Sequence, residues 1–435
     1  MLEKQPVAWP PPRFARRRKT VNDATTTPAQ RSRGMRDLLP DEMERVRAVK
    51  DAFAATCKAW GYREIRTPVI EPLHLFTAAG TLSPQTLDRV YSFLDWDGWS
   101  GERVVLRPDS TIPAARLYAE HLDGGRVAKL FYSQNVFRFT DDGSDREETQ
   151  CGVELVGDTG SLGDVEVVLL ALEAVSALEV PDITIRLSHA GIVRAVLAAA
   201  GLSPDEQTAA YDRLLDGDVT VVDEVESRLP QLNAPLRMLF EIDGQGSAYI
   251  TNLRAPLVSA VPGLARPLDE LEFVVSALEA RGVTPVIKTV LARSFEYYSG
   301  LVMRIESQGR RIAAGGRYDE LIGLVGARAV PASGFALYVT PVAQLIPARA
   351  RPPGERRIAV RPETASAPSV AAAYAAAERL RAAGLAVETV EGMSSVPTHR
   401  LICRYASPRF TLERPGGSDT YDDIEAALRA LEASR

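Results

Sequence analysis

The chain has 435 residues, 46% of them hydrophobic, enough to bury a sizeable core in two folded domains; its formal net charge of -6 argues against a protein whose main work is neutralising nucleic-acid phosphates. Three cysteines, Cys57, Cys151 and Cys403, lie far apart with no C-x-x-C pair, which argues against a disulfide framework or a zinc knuckle and suits a reducing cytoplasm. No run of about 18 apolar residues is present to span a bilayer, so no membrane insertion is expected.

Residues 1–30, with Pro10 to Pro12, the basic run Arg16 to Lys19 and Thr25 to Thr27, have no apolar period and read as a disordered basic tail. A globular domain begins at Arg33-Gly34-Met35. Asp41 is placed to cap a helix whose apolar positions Met43, Val46, Val49 and Phe53 recur at helical spacing. After Gly61, Tyr62 to Glu71 reads as one extended strand, with Pro68 better suited to an edge or an interface than to a sheet centre. Further strands are predicted at Arg103 to Leu106, Lys129 to Tyr132 with Phe137 to Phe139, Gln150 to Leu155 and Ile183 to Leu187. Helices are predicted at Thr111 to Glu120 and Asp164 to Leu178. Strands in succession with helices at the edges predict an α+β layer built on an antiparallel sheet.

From about 190 to 280 the pattern turns helical and reads as an insertion over the sheet, with Val193 to Ala199, Ala209 to Leu215 and Leu268 to Leu278 its clearest segments. Strand character returns at Val286 to Leu291, Gly300 to Glu306, Arg310 to Ala313 and Gly334 to Tyr338, closing a core of residues 31–345. Residues 346–356 read as a linker. Residues 357–435 form a small α/β domain: strands at Arg357 to Val360, Ala386 to Val390, Leu401 to Tyr405 and Arg409 to Leu412, and helices at Val370 to Ala383 and Tyr421 to Ala433.

Four segments carry the candidate chemistry. Tyr62 to Glu71 contains the proline strand. Leu106-Arg107-Pro108-Asp109-Ser110-Thr111 is a turn into a helix, where Asp109 could serve simply as a cap. In Phe137-Arg138-Phe139-Thr140 followed by Arg146 to Gly157, the period of two puts Gln150, Gly152 and Glu154 on one strand face, two polar groups with room between them for a small polar ligand. Last come Leu291-Ala292-Arg293-Ser294-Phe295-Glu296-Tyr297-Tyr298-Ser299-Gly300 and Ala313-Ala314-Gly315-Gly316-Arg317-Tyr318-Asp319. Each alone is ordinary; all four in this order are not.

Together these segments resemble the class II aminoacyl-tRNA synthetase core of histidyl-tRNA synthetase and of its non-catalytic relatives, the regulatory subunits of ATP phosphoribosyltransferase. The resemblance marks most of residues 31–345 and implies a histidine pocket. There Asp109 and Thr111 meet the ligand's ammonium group, Gln150 its amino end, Glu154 and Tyr298 its imidazole, and Arg293 its carboxylate, with Tyr297 beside them. Asp109 is the residue the regulatory subunits favour where synthetases favour glutamate. Arg138 and Arg146 would be remnants of a nucleotide site.

The rest of that nucleotide site is missing. Thr140 replaces a glutamate, and the closing motif reads Gly334-Phe335-Ala336-Leu337-Tyr338-Val339-Thr340-Pro341, with Tyr338 for glycine and Pro341 for the arginine that grips phosphate. Loss of such donors costs several kcal/mol of transition-state stabilisation, so adenylation is not expected. The resemblance then implies a non-catalytic regulatory subunit that binds L-histidine as feedback signal. Its expected partners are the short-form catalytic subunit of ATP phosphoribosyltransferase and a second copy through the class II core, with no cofactor, no metal and no tRNA. The alternative is a divergent histidyl-tRNA synthetase, with Arg293, catalytic in synthetases, and the C-terminal domain in its favour. That domain is about the size of an anticodon-binding domain but is shortened between Val390 and Leu401, as in a degenerate relic or a protein contact surface.

Overall fold

The computed structural model describes residues 31–78, 90–96, 101–122, 126–139, 145–157, 160–241, 243–291, 298–326, 328–346, 357–389, 399–414 and 416–433. The tail expected at 1–30, the linker beyond residue 346, and Thr140, Arg293 and Tyr297 lie outside the described residues. The chain divides into two compact units, Met1–Gln344 and Leu345–Arg435.

The first unit starts with α1 (Pro40–Ala59), β1 (Arg63–Glu64), β2 (Ile70–Pro72), α2 (Leu73–Ala78), β3 (Ser92–Trp96), β4 (Gly101–Leu106) and α3 (Thr111–His121). The long strands β5 (Ala128–Phe137) and β6 (Glu147–Val156), α4 (Gly160–Ser176) and β7 (Ile183–His189) follow. A mainly helical stretch holds α5 (Ala190–Ala199), α6 (Pro204–Leu215), α7 (Thr220–Arg228), α8 (Asn233–Glu241), the short β8 (Gly244–Gln245), α9 (Gly246–Ala260) and α10 (Ala265–Glu279). The unit closes with β9 (Val286–Ile287), β10 (Leu301–Ser307), β11 (Arg310–Arg317), α11 (Leu321–Val325), β12 (Ala332–Tyr338) and α12 (Val339–Leu345).

Nine strands form one sheet in the order β1-β5-β6-β12-β11-β10-β7-β9-β8, while β2, β4 and β3 form a separate small sheet. Neighbours from β5 through to β7 are antiparallel; β1 pairs with β5 and β9 with β7 in parallel, and β8 closes the far edge antiparallel to β9. Strand alternation gives the large sheet two unlike faces. Cys151, Val153 and Leu155 point to the buried helical side, where Phe53 of α1 meets Phe131 and Phe335 edge-on at 6.4 and 6.0 Å between centroids. On that side Asp164 of α4 accepts hydrogen bonds from Arg317 Nε at 3.1 Å and Ser333 Oγ at 2.8 Å, fastening the helix to two strands. The helix α10 packs against α4 and β7, and His189 is bonded to its Glu270 at 3.0 Å. The opposite face of the sheet carries the candidate site.

Several sequence expectations need correction. Asp41 is not the cap of α1: Leu39 occupies that position with no side-chain bond and Pro40 is the first helical residue, leaving Asp41 and Glu42 in the first turn. The strand expected over Tyr62 to Glu71 is broken between β1 and β2. Side chains there replace the ladder: Thr67 N–H donates to Gln134 Oε1 at 3.1 Å, and Arg107 Nη1 donates to the carbonyls of Thr67 and Pro68 at 2.8 and 2.9 Å. The strand expected over Val286 to Leu291 shrinks to Val286–Ile287, and the two pieces expected between Lys129 and Phe139 are one strand.

The second unit comprises β13 (Arg357–Pro362), α13 (Ala367–Ala382), β14 (Ala386–Glu388), β15 (His399–Cys403), β16 (Phe410–Arg414), β17 (Gly417–Tyr421) and α14 (Ile424–Ala433). Its sheet runs β14-β13-β15-β16-β17 over a core that includes Ile358, Val360, Leu380, Leu401 and Leu412. The helix expected from Tyr421 starts only at Ile424. The polar run Gly417–Tyr421 takes its backbone partners from β16 instead, a pairing that its lack of apolar alternation hides.

Candidate functional site

Register across the sheet explains how the site assembles. Glu154 of β6 stands opposite Gly334 of β12, which stands opposite Gly316 of β11; one step along, Gly152 is flanked by Tyr132 and Ala336, and the next step holds Gln134, Gln150 and Tyr338. Three glycines therefore lie under the polar face, and each makes room for one functional group. A Cβ on Gly152 would overlap the Tyr132 hydroxyl, one on Gly334 would overlap the Glu154 carboxyl and the Tyr318 hydroxyl, and one on Gly316 would press on the Tyr298 ring at 2.9 Å.

Glu154 is the centre of this arrangement. It is 2% exposed, its Oε1 accepts the Tyr132 hydroxyl at 3.0 Å and its Oε2 accepts the Tyr318 hydroxyl. Thr111 Oγ1 lies 3.4 Å from the Tyr132 oxygen, linking the start of α3 to the same cluster. Burial raises the Glu154 carboxyl well above the usual carboxylate range; hydrogen bonds from Thr111 and Tyr132 pull it down and the charge of Asp109 pushes it up. Burial likewise pushes the Tyr298 phenol up, with Tyr338, Asp109 and Glu154 adding to the effect, which places all four groups in one electrostatic neighbourhood.

Asp109 is partly exposed: its Oδ1 accepts Ile112 N–H at 2.9 Å at the head of α3, and its Oδ2 is 4.0 Å from an Arg138 guanidinium nitrogen. The residue thus ties down the first turn of α3, whose cap position is held by Ser110, and turns its other oxygen to Arg138. Gln150 is 2% exposed on the same face as Glu154. Asp109, Thr111, Gln150, Glu154 and Tyr298 are all set around this face, whereas Arg293 and Tyr297 lie outside the described residues.

Arg138 and Arg146 have structural employment. Arg138 Nε–H donates to the Pro108 carbonyl, and its backbone N–H donates to the Arg146 carbonyl at 2.9 Å. The Arg146 guanidinium lies 4.5 Å from the Phe139 ring centroid, and Phe139 stacks on Tyr91 at 4.1 Å. Tyr132 and Tyr318 are the site residues that sequence reasoning did not single out. Tyr318 stood in the Gly-Gly-Arg-Tyr-Asp segment, but only the cross-strand register brings its hydroxyl to Glu154.

The arrangement is a buried acceptor flanked by hydroxyls at one end and an amide with a second carboxylate at the other. Such a set of groups suits a small ligand bearing ring N–H donors and an ammonium group. Among the described residues no three His, Cys, Asp or Glu side chains converge as a metal site requires.

Comparison with known proteins was made on this basis. The family model described as "Histidyl-tRNA synthetase" matches residues 34–342. An ATP phosphoribosyltransferase regulatory subunit of Dehalococcoides mccartyi is 46% identical over 319 residues, covering 73% of this chain and 77% of that protein. The protein of that name from Symbiobacterium thermophilum is 34% identical over 383 residues, covering 83% and 92%. Among solved structures, an ATP phosphoribosyltransferase regulatory subunit/histidyl-tRNA synthetase from Bacillus halodurans superposes with a TM-score of 0.69 at 26% identity, covering 84% of this chain and 94% of that one. The histidyl-tRNA synthetase of Nostoc sp. PCC 7120 shares the fold, with a TM-score of 0.70 at 20% identity over 96% of this chain and all of the other.

Proposed function

The chain belongs to the histidyl-tRNA synthetase family and, within it, to the ATP phosphoribosyltransferase regulatory subunits, and from that membership we propose that it is a non-catalytic subunit that receives free L-histidine as a feedback signal. Its partner is the short-form catalytic subunit of ATP phosphoribosyltransferase, in the cytoplasm, and it acts on the first step of histidine biosynthesis. The observation that carries the ligand assignment is the buried Glu154 carboxyl held by two phenols beside Thr111. A carboxylate has lone pairs beyond those the phenols use, so it can also accept an imidazole N–H, with Tyr298 over Gly316 closing the side of the ring. Asp109, Thr111 and Gln150 then meet the ammonium end, and the family resemblance gives the carboxylate to Arg293 and counts Tyr297 in the site.

Support for a binding rather than an adenylating role comes from the closing strand. Tyr338 is buried where the strand would need to be open, and Pro341 lies within α12, where it supplies neither charge nor donor. Self-association through the class II core is supported by Val69 and Ile70, 36% and 46% exposed beside Pro68. In this reading residues 31–345 are the receptor, with the helical insertion at about 190–280, residues 346–356 join it to the small unit, and 357–435 serves as a protein contact surface rather than a tRNA reader.

The direct test is co-purification with the short catalytic subunit, followed by phosphoribosyl transfer assays with and without histidine. Complex formation with histidine-dependent loss of activity is the expected result. Histidine-dependent exchange of pyrophosphate into ATP by the isolated chain would instead establish the alternative, a divergent histidyl-tRNA synthetase.

A further inference from the structure

Residues 32–37, ahead of α1, meet the end of the β5–β6 hairpin where Arg138 and Arg146 pair. Arg146 N–H donates to the Gly34 carbonyl at 2.8 Å, and Arg36 is paired with Asp145 on one side and with Glu42 of α1, at 2.6 Å, on the other. Gly34 has φ +75°, a backbone that a side chain would strain, and a Cβ there would meet the Arg146 side chain at 2.5 Å. Glycine is needed twice over, for the turn and for the close passage of Arg146.

From Arg146 two lines of contact lead to the turn that carries Asp109. Through the backbone, the Arg146 carbonyl accepts Arg138 N–H at 2.9 Å, Phe137 N–H donates to the Arg107 carbonyl at 3.0 Å, and Arg138 Nε–H donates to that of Pro108. Through side chains, the Arg146 guanidinium covers Phe139, Phe139 stacks on Tyr91, and the Tyr91 carbonyl accepts Leu106 N–H at 2.9 Å. Residues 106–109 are thus held from two sides by groups that Arg146 orders. A binding carboxylate has to be kept within about 0.5 Å of its place by its neighbours, and Asp109, partly exposed, has only Ile112 N–H and the distant Arg138 to fix its own oxygens. Glu154 is held differently, by Tyr132 and Tyr318, so the imidazole end does not depend on these contacts.

We propose that residues 32–37 are a positioning strap for recognition of the ligand's ammonium group: Gly34 and Arg36 hold Arg146 and its neighbours, and these hold the 106–109 turn so that the Asp109 carboxylate is in place before a ligand arrives. The inference rests on the reading that Asp109 meets that ammonium group, and it adds residues outside the pocket on which the contact depends.

Competition calorimetry on the full chain tests it, with L-histidine and imidazole-4-propionate, which lacks only the ammonium group, as ligands. The unaltered chain should prefer L-histidine by at least ~10-fold, and Asp109→Asn should remove most of that preference. Gly34→Ala should weaken L-histidine binding about 5- to 10-fold and leave imidazole-4-propionate within about twofold. Arg36→Gln should weaken L-histidine about threefold and Arg36→Lys, which keeps the charge, should restore part of the loss; this pair is the safeguard if Gly34→Ala fails to fold. Equal weakening of both ligands, or of neither, in folded Gly34→Ala and in Arg36→Gln would overturn the strap and leave the pocket reading standing. An unaltered chain with no preference for L-histidine, or a preference untouched in Asp109→Asn, would overturn the Asp109 contact and the strap with it.

Discussion

Replacing Glu154 by glutamine changes one atom's chemistry and almost no volume, so its consequences can be worked out separately for ligand and fold. For the ligand, the carboxyl that an imidazole N–H would draw into its ionised form is lost. Hydrogen bonds to charged groups contribute about 1.5–3 kcal/mol, so the dissociation constant for histidine should rise roughly 10- to 150-fold. For the empty fold the sign is opposite. Burial holds the Glu154 carboxyl well above its ordinary 4.5, so the folded chain keeps a proton there that the unfolded chain releases. That contribution to stability is fully present below about pH 4.5 and declines as pH rises toward the folded value. Glutamine cannot ionise, and Glu154→Gln should lack this decline. Urea unfolding at pH 5 and pH 8, paired with histidine calorimetry, reads both effects. Unchanged affinity would refute the role given to the carboxyl, and an unchanged pH slope would refute its buried protonation.

Three further outcomes follow from the same geometry. Tyr318→Phe deletes one of the two phenol donors to Glu154 and should weaken histidine binding by about 0.5–1.5 kcal/mol, a roughly 2- to 12-fold change measurable by calorimetry. Gly334→Ala puts a methyl group where the Glu154 carboxyl and the Tyr318 hydroxyl meet; it should cost about 1–3 kcal/mol in urea unfolding and remove the histidine-induced rise in melting temperature. Asp164→Ala, on the opposite side of the sheet, leaves the buried Arg317 with only the Asp319 carboxylate at 3.2 Å and strands the Ser333 hydroxyl; it should lower the unfolding free energy by about 1–3 kcal/mol, while the fraction that remains folded binds histidine as before.

What the sequence made legible is what local periodicity controls. Gln150, Gly152 and Glu154 alternate in a strand, and the observed register does put them on one face; Thr111 does begin a helix, and that helix delivers its hydroxyl to the cluster. What stayed hidden depends on pairing between strands distant in the chain. Tyr132 and Tyr318 are 22 and 164 positions from Glu154, and no local pattern announces that their hydroxyls share its carboxyl. The break between β1 and β2 was invisible because its cause, the Arg107 guanidinium, comes from 40 positions away.

The site is assembled without a ligand, and that gives binding its leverage. A carboxyl whose charge burial disfavours, two phenols on one acceptor and a ring resting on a glycine floor are groups in place before a ligand arrives. A ligand that offers an N–H to Glu154 adds a bond to the two that the phenols make, so its binding must stabilise the arrangement around β6, β11 and β12 relative to any other. Linkage makes this reciprocal: a partner that favours the same arrangement raises histidine affinity, and one that favours another lowers it by the same factor. For histidine to inhibit as proposed, the active assembly must hold these strands less favourably for the ligand, and the affinity of the chain for histidine should be lower in the active complex than alone. Equal affinities in the two states, measured by calorimetry with and without the catalytic subunit, would leave histidine with no thermodynamic means of regulating it.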